Sequence, residues 1–132
     1  MRVMLDTNIL VSALLFPGEK MRLLIGRITM EHRLVLSSYV IEELLDVTAR
    51  KFPHKTRDID LLLSALPYDF VYTPAALEPD MFEIRDKDDY PVLYSAITEG
   101  VDVLVTGDRD FEGLNMERPE IMTPAAFLEN TE

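Results

Sequence analysis

Hydrophobic residues in this chain of 132 residues fall into short continuous runs, separated by segments in which they recur with helical spacing. The runs at residues 2–5, 33–36, 69–72 and 101–105 predict β-strands, and a weaker run at 120–122 predicts a fifth. Continuous apolar runs, in contrast to alternating ones, are typical of strands that are covered on both faces. The pattern therefore favours a buried, parallel sheet.

Helices are predicted between these strands, over residues 7–15, 20–30, 38–51, 55–65, 89–99 and 124–129. We expect Thr7 to cap the first of them and Ser37 or Ser38 to cap the third, because hydroxyl side chains bond the free amides of a first turn. Gly100 suits the position after the fifth helix, where the backbone often turns left-handed. Residues 73–86 contain two prolines and are expected to be irregular.

Strands that alternate with helices predict an α/β protein with three layers, α/β/α, around a central and mostly parallel sheet. The length fits one domain of ordinary size, which we expect to comprise residues 1–132. In open parallel sheets, ligand sites form just beyond the carboxyl ends of the strands. Polar residues at those ends are therefore the first candidates for chemistry.

Composition limits the possible classes of function. The hydrophobic fraction of 48% is that of a globular protein, and the sequence has neither a long apolar stretch nor a signal-peptide pattern, so we expect a cytoplasmic protein without a membrane contact. The absence of cysteine excludes thiolate metal sites, disulfides and cysteine nucleophiles. The net charge of −11 reflects either solubility or carboxylates gathered around a divalent cation, and the positions of the acids must decide between these interpretations.

Two aspartates follow predicted strands. Asp6 closes the first strand, and Asp108 follows the apolar run that ends at Val105. The carboxyl ends of parallel strands share one edge of the sheet, so these two side chains approach each other if their strands are neighbours. Either aspartate alone could equally be a cap or turn residue, and that interpretation is favoured for Asp110.

The helix over residues 38–51 distinguishes two adjacent glutamates. At about 100° per residue, its apolar stripe comprises Val40, Ile41, Leu44, Val47 and Thr48. Glu42 lies nearly opposite this stripe and should be solvated. Glu43 lies on its flank, from which a carboxylate can lean over the edge of the sheet. Glu43 is therefore the candidate for a site.

Three aspartates lie within four positions just before the fifth helix. Pro91 is acceptable only in a first helical turn, which places Asp88 or Asp89 at or next to the N-cap. Capping accounts for one acid but not for three, because like charges repel unless a cation lies among them. We select Asp89, which immediately precedes the helix, and expect Asp86 to bond amides of the loop.

Asp6, Glu43, Asp89 and Asp108 together form a set of oxygen ligands on four separate segments. Hard oxygen ligands suit Mg²⁺ or Mn²⁺. Such ions typically assist phosphoryl chemistry, in which they activate water and offset developing charge.

The stretches LDTNILVSALLFPG, SSYVIEELLDV, RDKDDYPVLYSAI and VDVLVTGDRDF resemble the four acidic motifs of PIN-domain ribonucleases. The chain is most similar to the VapC-like toxins of type II toxin–antitoxin systems, over residues 2 to 129. This resemblance implies a three-layer PIN-like fold and Mg²⁺- or Mn²⁺-dependent hydrolysis of RNA that leaves 5′-phosphate and 3′-hydroxyl ends. It also implies a cognate antitoxin protein as a partner and a homodimer.

Carried over residue by residue, the resemblance assigns catalysis and metal binding to Asp6, Glu43, Asp89 and Asp108. The matching accessory positions are Thr7, Asn8, Asp86, Thr106 and Asp110. Asp86 and Asp88 remain competitors for the role given to Asp89.

An acidic nuclease still needs cations that contact RNA. Arg109, beside Asp108, is the best candidate, and Arg50 and Lys51 belong to the most basic segment. An aspartyl-phosphate phosphatase is a rival class of enzyme, but it would need a second aspartate two positions after Asp6. Asn8 occupies that position, which argues against this class. The alternative from another class is a catalytically inactive PIN-like module that binds RNA or protein.

Overall fold

The computed structural model describes residues 1–111, 114 and 116–130. Its strands are β1 (Arg2–Leu5), β2 (Arg33–Ser37), β3 (Asp69–Val71), β4 (Val103–Val105) and β5 (Glu120–Met122). Its helices are α1 (Thr7–Leu15), α2 (Glu19–Glu31), α3 (Ser38–Lys51), α4 (Thr56–Ala65), α5 (Tyr90–Thr98) and α6 (Pro124–Asn130). Short 3-10 turns occupy Pro53–Lys55, Lys87–Asp89 and Arg109–Phe111. The predicted elements are thus confirmed, with ends that differ by one or two residues.

All five strands are parallel, in the order β3-β2-β1-β4-β5. Strand β1 is central, and its Met4 pairs with Val35 of β2 and Leu104 of β4. Val3, Met4 and Leu5 are each 0% exposed, although successive residues of a strand point to opposite faces. Both faces of the sheet are therefore covered, as the predicted three-layer α/β/α architecture requires.

Strand β1 passes into α1 without a loop, and the prediction that Thr7 caps α1 is wrong. Asp6 has an extended backbone and occupies the N-cap position, and its carbonyl accepts the first helical bond from Leu10 N at 3.0 Å. Thr7 is already helical, and its Oγ1 donates to Glu43 Oε1 at 2.7 Å. The hydroxyl thus joins α1 to α3 and does not bond the first turn.

Two other predicted helix ends are confirmed. Ser37 caps α3, since its Oγ accepts a hydrogen bond from Val40 N at 3.3 Å. Gly100 follows α5 with φ of +63°, a left-handed conformation that glycine adopts without strain. Ser37 joins β2 directly to α3, and Gly100 lies within the four residues that connect α5 to β4.

The C-terminal part of the chain completes the sheet and its core. Strand β5 pairs with β4, and Phe127 of α6 is 0% exposed. The ring of Phe127 packs edge-to-face against His32, with the centroids 5.6 Å apart. Among the helices of the described residues, none combines the length and the apolar character needed to cross a bilayer.

Candidate metal centre

Three carboxylates converge beyond the carboxyl edge of the sheet. Oxygens of Asp6, Asp89 and Asp108 all lie within 4.8 Å of one another. The pairing of β1 with β4 brings two of them together, because Asp6 directly follows β1 and its N donates to Val105 O at 3.1 Å. Asp89 reaches the same place from the 3-10 turn before α5. The approach of Asp6 to Asp108 is the one that a parallel sheet predicts.

Asp6 is held by a hydroxyl group. It is 4% exposed, and Thr106 Oγ1 donates to its Oδ2 at 2.7 Å. The same Thr106 oxygen accepts from Asp108 N at 3.0 Å, so one buried hydroxyl links both acids. Burial raises the pKa of Asp6 above its ordinary value despite the bond from Thr106, and the charge of Asp108 acts in the same direction.

Asp89 does not serve as a helix cap. It occupies the N-cap position of α5, but its side chain makes no capping hydrogen bond. It is 9% exposed, and its buried Oδ2 has no hydrogen-bond partner. Burial, and then the charges of Asp108 and Asp6, raise the pKa of Asp89 to about 8. A buried carboxylate oxygen among other carboxylates, with no donor of its own, fits a hard divalent cation as the missing partner.

The neighbouring acids have separate roles. Asp86 Oδ1 accepts from Asp88 N at 2.9 Å, which confirms that Asp86 bonds a loop amide. Asp86, Asp89 and Asp110 form a second group of carboxylates within 4.8 Å. Asp89 belongs to both groups, whereas the exposed Asp88 belongs to neither among the described residues. The geometry therefore favours Asp89 over Asp88 as a ligand.

Glu43 lies beside the cluster but outside both groups of described carboxylates. It is half-buried, in contrast to the exposed Glu42, as the helical pattern predicts. Burial raises the pKa of Glu43, and the charges of Asp6 and Asp88 raise it further, while the bond from Thr7 opposes this shift. Glu43 thus lies on α3 close enough to Asp6 for their charges to interact, and it is bonded to Thr7 of α1.

Tyr39 was not singled out by the sequence analysis. Its hydroxyl donates to Asp88 O at 3.0 Å, and burial followed by the charges of Glu43 and Asp88 raises its pKa to about 12. The available signal was its position four residues before Glu43, which places both side chains on one face of α3. Asn8, the accessory position after Thr7, is exposed.

The predicted substrate-binding cations do not lie together. Arg109 is exposed and directly follows Asp108. Arg50 and Lys51 are exposed at the other end of α3, where Arg50 Nε pairs with Asp46 Oδ2 at 3.0 Å. At about 1.5 Å per residue, Arg50 is roughly 10 Å further along the helix axis than Glu43. The structure therefore separates these two basic residues from the carboxylates.

A covered parallel sheet with buried carboxylates beyond its carboxyl edge defines an α/β protein with a candidate centre for a divalent cation. A family model described as PIN domain matches residues 2–110. The chain belongs to the PIN-domain family, as its motifs indicated. No curated protein sequence matches the chain significantly.

Two solved structures resemble the chain over most of its length. One is VapBC2 from Rickettsia felis bound to a DNA fragment from its promoter, with 22% identity, a TM-score of 0.69, and coverage of 92% of this chain and 97% of that chain. The other is VapC20 from Mycobacterium tuberculosis, described as a toxin that cleaves the sarcin–ricin loop, with 18% identity, a TM-score of 0.57, and coverage of 89% and 99%. At these identities the likeness establishes the shared fold, and the predicted PIN-like fold is confirmed.

Proposed function

We propose that the protein is a Mg²⁺- or Mn²⁺-dependent endoribonuclease in which Asp6, Asp89 and Asp108 bind the ion. The observation that carries this proposal is the convergence of these carboxylates, with Asp89 Oδ2 buried and unpartnered. Like charges in a buried site are unfavourable unless a cation compensates them. Membership of the PIN-domain family and the described activity of VapC20 support RNA as the substrate.

The residues of the chain have distinct tasks in this reaction. When bound, Mg²⁺ or Mn²⁺ supplies activation of water and compensation of the charge that develops on the phosphodiester. Thr106 fixes Asp6, and Thr7 fixes Glu43, which orients the attacking water. Water adds its oxygen to phosphorus while the bond from phosphorus to the 3′ oxygen breaks. The products are a 5′-phosphate and a 3′-hydroxyl that has taken up a proton.

Several properties complete the proposal. Arg109 contacts a phosphate next to the scissile bond, whereas Arg50 and Lys51 contact RNA further away, consistent with their distance along α3. Residues 1–132 act as one PIN domain in the cytoplasm, as a homodimeric toxin that a cognate antitoxin protein neutralises. The likeness to the fold of VapBC2, a complex bound to promoter DNA, supports such a partner.

RNA cleavage by the purified full chain tests the proposal. We expect cleavage with Mn²⁺ or Mg²⁺, none with a chelator, and loss of cleavage in Asp89→Asn. Glu42→Gln is the matched control, because it removes one negative charge from an exposed position and should retain activity. RNA that is bound but remains intact with every metal would overturn the proposal in favour of an inactive PIN-like binding module.

A further inference from the structure

Tyr39 connects α3 to the segment that carries Asp89. It lies in the first turn of α3 and is anchored at two points. Its backbone N donates to Thr73 Oγ1 at 3.3 Å, and its hydroxyl donates to Asp88 O at 3.0 Å. A residue bonded at both its backbone and its side chain is a rigid link between two elements.

The carbonyl that Tyr39 bonds belongs to the peptide group between Asp88 and Asp89. The N–H of the same peptide group donates to Asp86 O at 3.1 Å. Hydrogen bonds at the oxygen and at the nitrogen fix the plane of this peptide and hence the direction in which the side chain of Asp89 leaves the backbone. Asp89 Oδ2 has no hydrogen-bond partner, so no bond to that oxygen holds the carboxylate and the backbone anchoring contributes to its placement.

We propose that Tyr39 is a positioning residue of the metal centre. Its hydroxyl holds Asp89 at the spacing from Asp6 and Asp108 that a shared cation requires, and its helix carries Glu43 one turn further on. This inference rests on the proposed metal-dependent function. Partners that orient ligands typically change metal affinity by roughly 10- to 100-fold when they are lost.

Tyr39→Phe, which removes only the hydroxyl, tests the inference in the full chain. We expect isothermal titration with Mn²⁺ to give a dissociation constant at least about tenfold higher than that of the wild type. Tyr72→Phe is the matched control, because Tyr72 is 76% exposed and its ring packs on Phe70 of β3. The dissociation constant of Tyr72→Phe for Mn²⁺ should equal that of the wild type.

Two further measurements separate positioning from general stability. The unfolding temperatures of Tyr39→Phe and the wild type should be similar in chelator. Rising Mn²⁺ should raise the RNA cleavage rate of Tyr39→Phe, because the loss that arises through Asp89 is a loss of metal affinity. A deficit that persists at saturating Mn²⁺ measures the contact of the hydroxyl with Glu43.

Different negative results would overturn either the role of Tyr39 or the proposed metal-dependent function. Equal Mn²⁺ affinity in Tyr39→Phe and the wild type overturns the role of Tyr39 and leaves the proposed function intact. A cleavage rate of Tyr39→Phe that does not respond to the Mn²⁺ concentration also overturns it. A wild-type protein that takes up no Mn²⁺ at all overturns the proposed function itself.

Discussion

Asp89 illustrates how a structure narrows the possible roles of a residue that is ambiguous in the sequence. An aspartate before a helix is usually a cap, and its side chain then bonds the N–H of the second or third helical residue. The second residue of α5 is Pro91, which has no N–H to offer. Asp89 stays free of the helix and turns to Asp6 and Asp108 instead. The proline removes one of the two possible donors and leaves the N–H of Val92, so the sequence alone does not decide between a cap and a metal ligand.

Removal of the charge at residue 89 should stabilise the metal-free protein. The pKa of Asp89 is raised to about 8, so its ionisation opposes folding as the pH rises from the ordinary aspartate range through that value. Asp89→Asn should therefore raise the free energy of unfolding in chelator at mildly alkaline pH, by an amount on the order of 1 kcal/mol. Urea unfolding measures this change. A loss of stability would instead indicate a structural role for the carboxylate.

The same substitution should have the opposite effect once Mn²⁺ is present. A ligand that binds only the folded state raises the free energy of unfolding by about 2.7 kcal/mol when its concentration is 100 times its dissociation constant. We expect Mn²⁺ to raise the unfolding temperature of the wild type and to raise that of Asp89→Asn much less. Thermal denaturation with and without Mn²⁺ measures both shifts, and equal shifts would contradict the assigned ligand.

The ionisation of Asp102 should account for part of the decrease in folding stability at acidic pH. The bond that its Oδ2 accepts from Arg2 N at 2.8 Å, together with Arg118, holds its pKa below the ordinary value. Ionised Asp102 therefore stabilises the fold at pH values above its ordinary pKa. This stabilisation is lost as the pH falls through the lowered pKa. Asp102→Asn should lower the free energy of unfolding at neutral pH by about 0.5–1.5 kcal/mol. Urea unfolding at several pH values should show the difference from the wild type shrinking in acid, and a difference that does not change with pH would contradict this role of Asp102.

At the scale of elements, α3 was the most predictable part of the site. Its 3.6-residue period correctly separated the exposed Glu42 from the half-buried Glu43, and its cap is Ser37, one of the two serines that the sequence offered for this position. Arg50 was named from the sequence as a candidate RNA-binding residue without being placed relative to the acids, and the structure shows it near the opposite end of α3 from Tyr39.

Side-chain contacts between separate elements could not be predicted from the sequence. Periodicity indicates which face of a helix is buried, but it does not indicate which loop carbonyl a side chain will meet. The bond from Tyr39 to Asp88 and the bond from Thr7 to Glu43 depend on how separate segments pack. Because a hydrogen bond requires placement to within a few tenths of an ångström, only the assembled fold reveals such partners.

The cap of α3 should make a measurable contribution to stability. Ser37→Ala removes the acceptor of the bond from Val40 N and should lower the free energy of unfolding by about 1 kcal/mol. Ser64→Ala is the control, because the Ser64 hydroxyl bonds Asp60 O within α4 and alanine is the better helix former. Urea unfolding should show little change for Ser64→Ala, and equal losses in both variants would contradict the capping role.

For the molecule as a whole, the sheet and its covering helices followed from the sequence because continuous apolar runs already indicate burial on both faces. Strand order did not follow, since the hydrophobic pattern of β1 is the same whichever strands flank it. The segments after residue 110 lie outside the match to the family model, yet β5 and α6 pair with and cover the rest of the fold.

Phe127 should therefore be essential for stability. Phe127→Ala removes a fully buried ring and should lower the free energy of unfolding by about 3–5 kcal/mol. Leu61→Ala, at a position that is 62% exposed, should change it by no more than about 0.5 kcal/mol. Denaturant unfolding of both variants provides the comparison, and a small effect at Phe127 would mean that α6 is dispensable.

The central position of β1 also affects the order of events during synthesis. Strand β1 is translated before β4, the strand that pairs with one of its sides. A nascent chain that ends before β4 lacks Asp108 and cannot assemble the carboxylate cluster. The three carboxylates can therefore come together only after β4 and the segment that follows it have left the ribosome.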